Sequence, residues 1–190
     1  MLTRDQLTLG ILAGGQARRL GGVDKAFAQF QGQALLTRAL AALGTGYAQT
    51  LISYNGNDER IARFGGAAVP DLRGHFPGPL AGLESLLRVA SSEWLLTIPV
   101  DLRDIPGDLP EILCGELGSN PVGEGVAIGD ADGLQPLVAL WRVSTSRSAT
   151  TAALDAGERA AHRLVHSMQF RIRDISPWRL GNLNLPADFE

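Results

Sequence analysis

Residues 9–25 read L-G-I-L-A-G-G-Q-A-R-R-L-G-G-V-D-K: a short apolar run, paired glycines, two arginines, two further glycines and a lysine. These residue types at this spacing suit the binding of a polyphosphate. Gly10, Gly14, Gly15, Gly21 and Gly22 would each cost roughly 1 kcal/mol in a helix relative to alanine, so their use is conformational, letting backbone N–H groups close on an anion. Arg18, Arg19 and Lys25 add the cations that such a nest needs to hold several phosphates. Two spacing tests narrow the chemistry. A P-loop, G-x-x-x-x-G-K-[ST], places its lysine beside a glycine and before a hydroxyl, whereas Lys25 stands between Asp24 and Ala26. The dinucleotide fingerprint G-x-G-x-x-G is absent from this loop as well. Taken alone, the loop is also compatible with a glycine-rich turn carrying surface cations.

Two aspartates end later apolar runs in a similar way, Asp71 after Pro70 and Asp101 after Pro99-Val100. Each has an ordinary reading as a helix cap or turn residue. His162 and His166 share one helical face at metal-pair spacing, but they lack an H-E-x-x-H frame and lie beside Arg159 and Arg163, which makes a solvated basic face. Arg171 and Arg173 alternate along a strand candidate as an exposed side. Trp94, Trp141 and Trp178 are spaced as core or rim aromatics and match no stacking platform.

The elements that must position these groups alternate. Thr8–Ala13 is an apolar run that delivers the glycine loop at its carboxyl end, where open α/β sheets bind ligands. Leu36, Ala39, Leu40 and Leu43 predict a helix over 35–43 stopped by Gly44, and Thr50–Tyr54 a second strand ending at Asn55-Gly56-Asn57. A short helix at 58–64, a short strand at 67–69, a helix at 80–89 entered through Pro79, a strand at 94–99 and a helix at 110–117 follow. Val126–Gly129 and Gln135–Trp141 flank Asp130-Ala131-Asp132-Gly133, a hairpin signal. Residues 148–168 are helical with a break at Gly157, and 170–175 is a last strand. This rhythm predicts a single domain over residues 1–190, a three-layer, doubly wound, mostly parallel α/β sheet with a small antiparallel addition and function on the loops of one sheet edge.

Composition excludes several partners. With 190 residues, 45% hydrophobic and 19% charged, the chain can bury one sizeable core. A net charge of −3 and a pI near 5.6 give no basic field for nucleic acid, so any anion site is local. Cys114 is the only cysteine, which excludes an internal disulfide and multi-thiolate zinc, and is expected to be buried. The N-terminal apolar run stops at Gly14-Gly15, too short for a secretory segment or membrane span, so a cytoplasmic location is expected.

L-A-G-G-Q-A-R-R-L-G-G-V-D-K resembles the signature loop of the molybdenum cofactor guanylyltransferases, the MobA-like branch of nucleotidyltransferases, and the likeness continues beyond it. Pro70-Asp71 with Phe76-Pro77-Gly78-Pro79-Leu80-Ala81-Gly82 is similar to the family's second motif, Pro99-Val100-Asp101 with Ile105-Pro106 to its third, and Asn182-Leu183-Asn184-Leu185-Pro186 to its terminal N-x-N-T-P. The four motifs fall in family order across nearly the whole chain.

The resemblance implies transfer of GMP from GTP to the phosphate of a molybdopterin-type cofactor, with release of pyrophosphate. By similarity, Leu12, Ala13, Gly14 and Gly15 hold nucleotide, and Arg19 and Lys25 meet its phosphates. Asn55 stands for a polar residue near the end of the second strand, within a residue or two. Asp71 binds the guanosine part, Asp101 carries Mg2+, and Gly78, Pro79, Gly82, Asn182 and Asn184 face the acceptor. Arg19, Lys25 and Asp101 are the catalytic candidates. A protein that delivers molybdopterin, or an apo-molybdoenzyme that receives the product, is an expected partner; no nucleic acid or membrane is. Two departures bear on this. Leu102 and Arg103 follow Asp101 where the family commonly has Thr or a small residue and Pro, and Leu185 stands where Thr is usual. They leave open a relative that transfers CMP or uses another acceptor, and a non-catalytic nucleotide or cofactor carrier.

Overall fold

The computed structural model describes residues 2–14, 24–56, 58–74, 78–118, 123–184 and 186–189. Gly15 and Arg19 of the glycine loop, and Leu185 of the terminal motif, lie outside these residues.

β1 (Leu7–Leu12) is buried along its whole length. It pairs in parallel with β4 (Gln49–Ser53) on one side and β6 (Trp94–Pro99) on the other. Between them in sequence come β2 (Gln29–Phe30) and β3 (Gln33–Ala34), a separate two-stranded ribbon, and α1 (Leu35–Leu43). α2 (Asp58–Ala62) leads to β5 (Ala67–Val69), which extends the sheet in parallel beyond β4. α3 (Pro79–Val89) precedes β6, and α4 (Leu109–Leu117) follows it. The hairpin of β7 (Gly125–Asp130) and β8 (Gly133–Arg142), α5 (Val143–Asp155), α6 (Ala161–Ser167) and β9 (Arg171–Asp174) complete the order. The seven sheet strands run β5-β4-β1-β6-β8-β7-β9. Only β8 runs against its neighbours, so four of the six neighbouring pairs are parallel.

Alternating side chains put two cores on the two faces. Leu7, Leu9, Ile11, Ile52, Leu96 and Ile98 pack with Leu36 and Leu43 of α1 and Leu109 and Leu113 of α4. Leu51, Leu95, Ala127 and Trp141 pack with Leu83 and Leu87 of α3, Leu154 of α5 and Leu164 of α6. This is the three-layer arrangement that the strand–helix alternation predicts.

Most predicted elements are found within one or two residues of their expected bounds. α5 starts five residues before the expected Ser148. Its first turns, V-S-T-S-R-S, carry weak helix formers, but Ser146 and Thr150 are fully buried and Val143 N donates to Glu93 O at 2.9 Å, so tertiary packing extends the helix over them. The antiparallel addition is not at an edge. β8 is inserted between β6 and β7 and carries β7 and β9 beyond it. Cys114 is buried, and burial pushes its thiol up to about 11.

Candidate nucleotide-binding site

β1 and β6 are neighbours at which the strand order switches: the next sheet strand after β1 in sequence, β4, lies on one side of the pair, and the next after β6, β7, on the other. The crevice at such a switch point, past the carboxyl ends of the strands, is the general ligand position of open α/β sheets. Here it is a cavity of about 530 Å3. Leu12 and Gly14 reach it from the end of β1, Ser53 from the end of β4, Pro99 and Asp101 from the end of β6, and Gly78, Pro79 and Gly82 from the start of α3. Lys25, Asp71, Asn182 and the β8 segment Gln135–Val138 complete the wall.

Two glycines set its shape. Gly78 has φ +87° and turns the chain into α3 ahead of Pro79, which needs no N–H in the first turn. A Cβ on Gly82 would lie 2.6 Å from Ser53 Oγ and 3.2 Å from Leu12 Cδ2, so the bare backbone of α3 lets the floor of the cavity form.

Lys25 and Asp101 meet at the mouth of β6. The Lys25 ammonium donates to Asp101 Oδ2 and, at 3.1 Å, to Asn184 Oδ1. Asp101 is 9% exposed. Its backbone oxygen accepts from Leu183 N at 2.8 Å, and Leu102 forms an antiparallel bridge with Asn182, so the terminal segment is bound to the β6 loop. Asp130 fastens the same segment from the other side: its carboxylate accepts from Leu180 N and Asp132 N at 2.9 Å and from Gln135 Nε2 at 3.1 Å. On the far side Asp24 holds the residue before Lys25 in place, accepting from the Tyr54 hydroxyl at 2.8 Å and the Arg60 guanidinium at 3.4 Å.

Asn55 and Asp71 form a reciprocal pair at the other end. Asn55 Nδ2 donates to Asp71 Oδ2 at 2.9 Å and Asp71 N donates to Asn55 Oδ1 at 2.7 Å. Asp71 Oδ1 is buried and has no hydrogen-bond partner among the described residues.

The structure thus gathers Leu12, Gly14, Lys25, Asp71, Gly78, Pro79, Gly82, Asp101 and Asn182 around one cavity. Ala13 is buried behind it, Asn184 touches Lys25, and Asn55 faces Asp71 rather than the cavity. Two features escape the sequence reading. Ser53, 1% exposed, lines the cavity with a hydroxyl that has no partner among the described residues, two residues before the expected Asn55. The second is the β8 wall. The register steps from Ala127↔Ala139 to Ile128↔Gln135, so Pro136, Leu137 and Val138 bulge out unpaired beyond the point where β6–β8 pairing ends, at Thr97↔Ala139. Pro136 inside an apolar strand pattern is the signal that marks such a bulge.

The family model described as the MobA-like NTP transferase domain matches residues 9–171. The chain belongs to that family. MobA-like relatives include the molybdenum cofactor guanylyltransferase of Aliivibrio fischeri (strain ATCC 700601 / ES114), 35% identical over 100% of this chain and 97% of its own length. The protein of the same name from Shewanella sp. (strain MR-4) is 36% identical over 95% of this chain and 92% of its own. The MobA-like fold is shared with molybdopterin-guanine dinucleotide biosynthesis protein A from Archaeoglobus fulgidus, with a TM-score of 0.75, 19% identity and coverage of 96% and 94% of the two chains. It is shared also with 2-C-methyl-D-erythritol 4-phosphate cytidylyltransferase from Thermus thermophilus, with a TM-score of 0.71, 15% identity and coverage of 95% and 94%.

Within this MobA-like frame the two departures beside Asp101 are accommodated away from the cavity. Leu102 is buried in the core. Arg103 N donates to Leu180 O, and its guanidinium lies over the Phe30 ring and 3.9 Å from Asp188. His162 and His166 are exposed, with His166 Nδ1 2.6 Å from His162 O, and among the described residues no cluster of three metal-ligating side chains forms.

Proposed function

We propose that this protein transfers GMP from GTP to the terminal phosphate of a molybdopterin-type cofactor and releases pyrophosphate. The observation that carries the reading is the convergence of sequence-distant residues of the glycine loop, the Asp71 and G-P-L-A-G segment, the Asp101 segment and the terminal N-x-N segment on one cavity at the sheet's switch point. Full-length relatives named molybdenum cofactor guanylyltransferase supply the nucleotide and the acceptor class.

In this reading an oxygen of the acceptor phosphate forms a bond to the α-phosphorus of GTP while the bond from that phosphorus to the β-phosphate oxygen breaks, and pyrophosphate leaves with the electron pair. Two anions must be brought together, so the protein contributes placement and charge rather than a nucleophile. Gly14 and the residues after it hold the phosphates, and Lys25, together with Arg19 of the glycine loop, neutralises them. Ser53 hydrogen-bonds the nucleotide at the cavity floor. Asp71 offers carboxylate acceptors that suit the adjacent N1–H and N2–H donors of guanine, whereas adenine presents an acceptor at N1. Asn182 and Asn184 face the acceptor.

A buried, solitary carboxylate at a strand end fits Mg2+, which takes one or two carboxylates and completes its shell with phosphate oxygens and water. Asp101 would hold the ion, which supplies neutralisation of charge on the reacting phosphates. Lys25 occupies Asp101 Oδ2 in this structure and would turn to the phosphates when ligands arrive. Of the departures that motivate the carrier reading, Leu102 is buried and Arg103 does not line the cavity, while Leu185 lies outside the described residues. A molybdopterin-delivering protein or an apo-molybdoenzyme remains the partner class that this activity calls for.

The test is pyrophosphate release from GTP, CTP and ATP with Mg2+ and molybdopterin. Release with GTP, lost in Lys25→Ala and Asp101→Ala, is expected. Equal use of CTP would remove the guanine assignment, and silence with every nucleotide would remove the transferase reading.

A further inference from the structure

Asp71 belongs to the short stretch between β5 and α3, and its neighbours hold that stretch by contacts that no part of the proposed chemistry uses. Leu72 N donates to the hydroxyl of Ser85 at 2.9 Å, and Ser85 is fully buried on α3. Two residues after Asp71, the Arg73 guanidinium forms a fork on Glu84, Nε to Oε2 at 2.7 Å and Nη2 to Oε1 at 2.8 Å. Its remaining nitrogen, Nη1, lies 2.7 Å from Asp155 at the end of α5. The Glu84 side chain is only 7% exposed, and its Oε1 also accepts from Thr151 of α5 at 2.9 Å. The result is a carboxylate buried with its charge matched and hydrogen-bonded, tying the Asp71 stretch to α3 and α5 together.

The position of this clamp matters. Glu84 and Ser85 lie two and three residues beyond Gly82, which with Gly78 and Pro79 walls the cavity at the start of α3. Asn55, just past the end of β4, orients the Asp71 carboxylate, but that pair alone leaves the backbone of residues 71–74 without an anchor on the α3 side. The clamp supplies that anchor, and it fixes the distance between the Asp71 carboxylate and the wall of the cavity opposite β4.

The geometry points to Arg73, Glu84 and Ser85 as positioning residues that set base selection by holding Asp71 at the nucleobase end of the cavity. This rests on the reading of Asp71 as the ligand of the guanine base. None of the three touches substrate. They act through Asp71, so their loss falls on the base and spares the phosphates, which Lys25 meets beside Asp101.

Equilibrium titration of GTP and of ATP, each with Mg2+, into the wild type, Asp71→Asn, Arg73→Lys and Glu84→Gln separates the cases. Arg73→Lys keeps the charge at a partly exposed position but loses the fork, so it decides the matter if Glu84→Gln does not fold. Arg73→Lys and Glu84→Gln are expected to weaken GTP by about tenfold and to leave ATP unchanged, so that the preference for GTP collapses as it does in Asp71→Asn. Wild-type GTP preference in the clamp variants alongside loss in Asp71→Asn would overturn the clamp alone. Parallel weakening of GTP and ATP would show general loosening and overturn it too. An Asp71→Asn protein that still prefers GTP would remove the reading of Asp71 beneath it, and the clamp with it.

Discussion

Lys25 and Asp101 form an ion pair in the cavity wall, and the pair explains how the Asp101 carboxylate can be buried there. An ammonium and a carboxylate in mutual contact spare each other the cost of an uncompensated buried charge. In the proposed reaction the two have unequal roles. Asp101→Asn should lower kcat by about 100-fold or more while GTP affinity moves by a much smaller factor, because charge stabilisation at reaction is lost and the docking of the base is not. Steady-state kinetics beside GTP titration checks this, and equal losses in both would contradict the role. Ser53 is the residue-scale lesson. A polar residue near the end of the second strand is legible in the sequence, but its register is not. Alternation alone puts Ser53 and Asn55 on one side; what separates them is where β4 ends, since Ser53 is its last paired residue, opposite Leu12, while Asn55 lies beyond the strand and turns to Asp71. Gly82→Ala tests the same floor: the new Cβ must push the Ser53 hydroxyl aside, so GTP affinity should fall while the melting temperature stays near that of the wild type.

At the scale of elements, α3 carries both the cavity wall and the Glu84 end of the clamp. The Arg73 guanidinium beside Glu84 holds its carboxyl below the usual carboxylate range. A carboxyl whose folded value lies below its unfolded one adds stability that is present above the unfolded value and is lost as pH falls through the folded one. Glu84→Gln should therefore cost about 1–3 kcal/mol at neutral pH, and the gap to wild type should close below about pH 4. Urea denaturation across pH measures it. The elements themselves are largely legible in the sequence. α1 is found at 35–43 as its apolar spacing predicts, and the two-residue turn Ala131-Asp132 closes the predicted hairpin. The start of α5 is not legible, since Ser and Thr at its first turns speak against a helix until Glu93 and the neighbouring core are in place. The bulge in β8 is hidden because the run from 135 to 141 is nearly all apolar, and only Pro136 interrupts its strand pattern.

At the scale of the molecule, the cavity depends on the last residues of the chain being fastened to its middle. Asp130, 5% exposed, accepts from Leu180 and Gln135 and so joins the terminal segment to the bulged wall of β8. Asp130→Asn turns an acceptor into a donor at one of these contacts and should cost about 1–3 kcal/mol in urea denaturation. If stability is unchanged, the terminal segment is held by its contacts with Asp101, Leu102, Arg103 and Lys25 instead. The strand–helix rhythm foretells a doubly wound sheet, and the motif order foretells which loops meet. Neither can place β8 inside the sheet, because its pairing with β6 is chosen by side-chain fit across a long sequence separation.

That insertion has a consequence for how the chain is made. β7 and β9 reach the rest of the sheet only through β8, although β7 precedes β8 in sequence. As the polypeptide leaves the ribosome, β1, β4, β5 and β6 can assemble in the order in which they emerge, while β7 must wait, its edges unsatisfied, until Arg142 has cleared the exit tunnel. β7 and β8 therefore join the sheet as one hairpin, with β8 as the seam that meets β6.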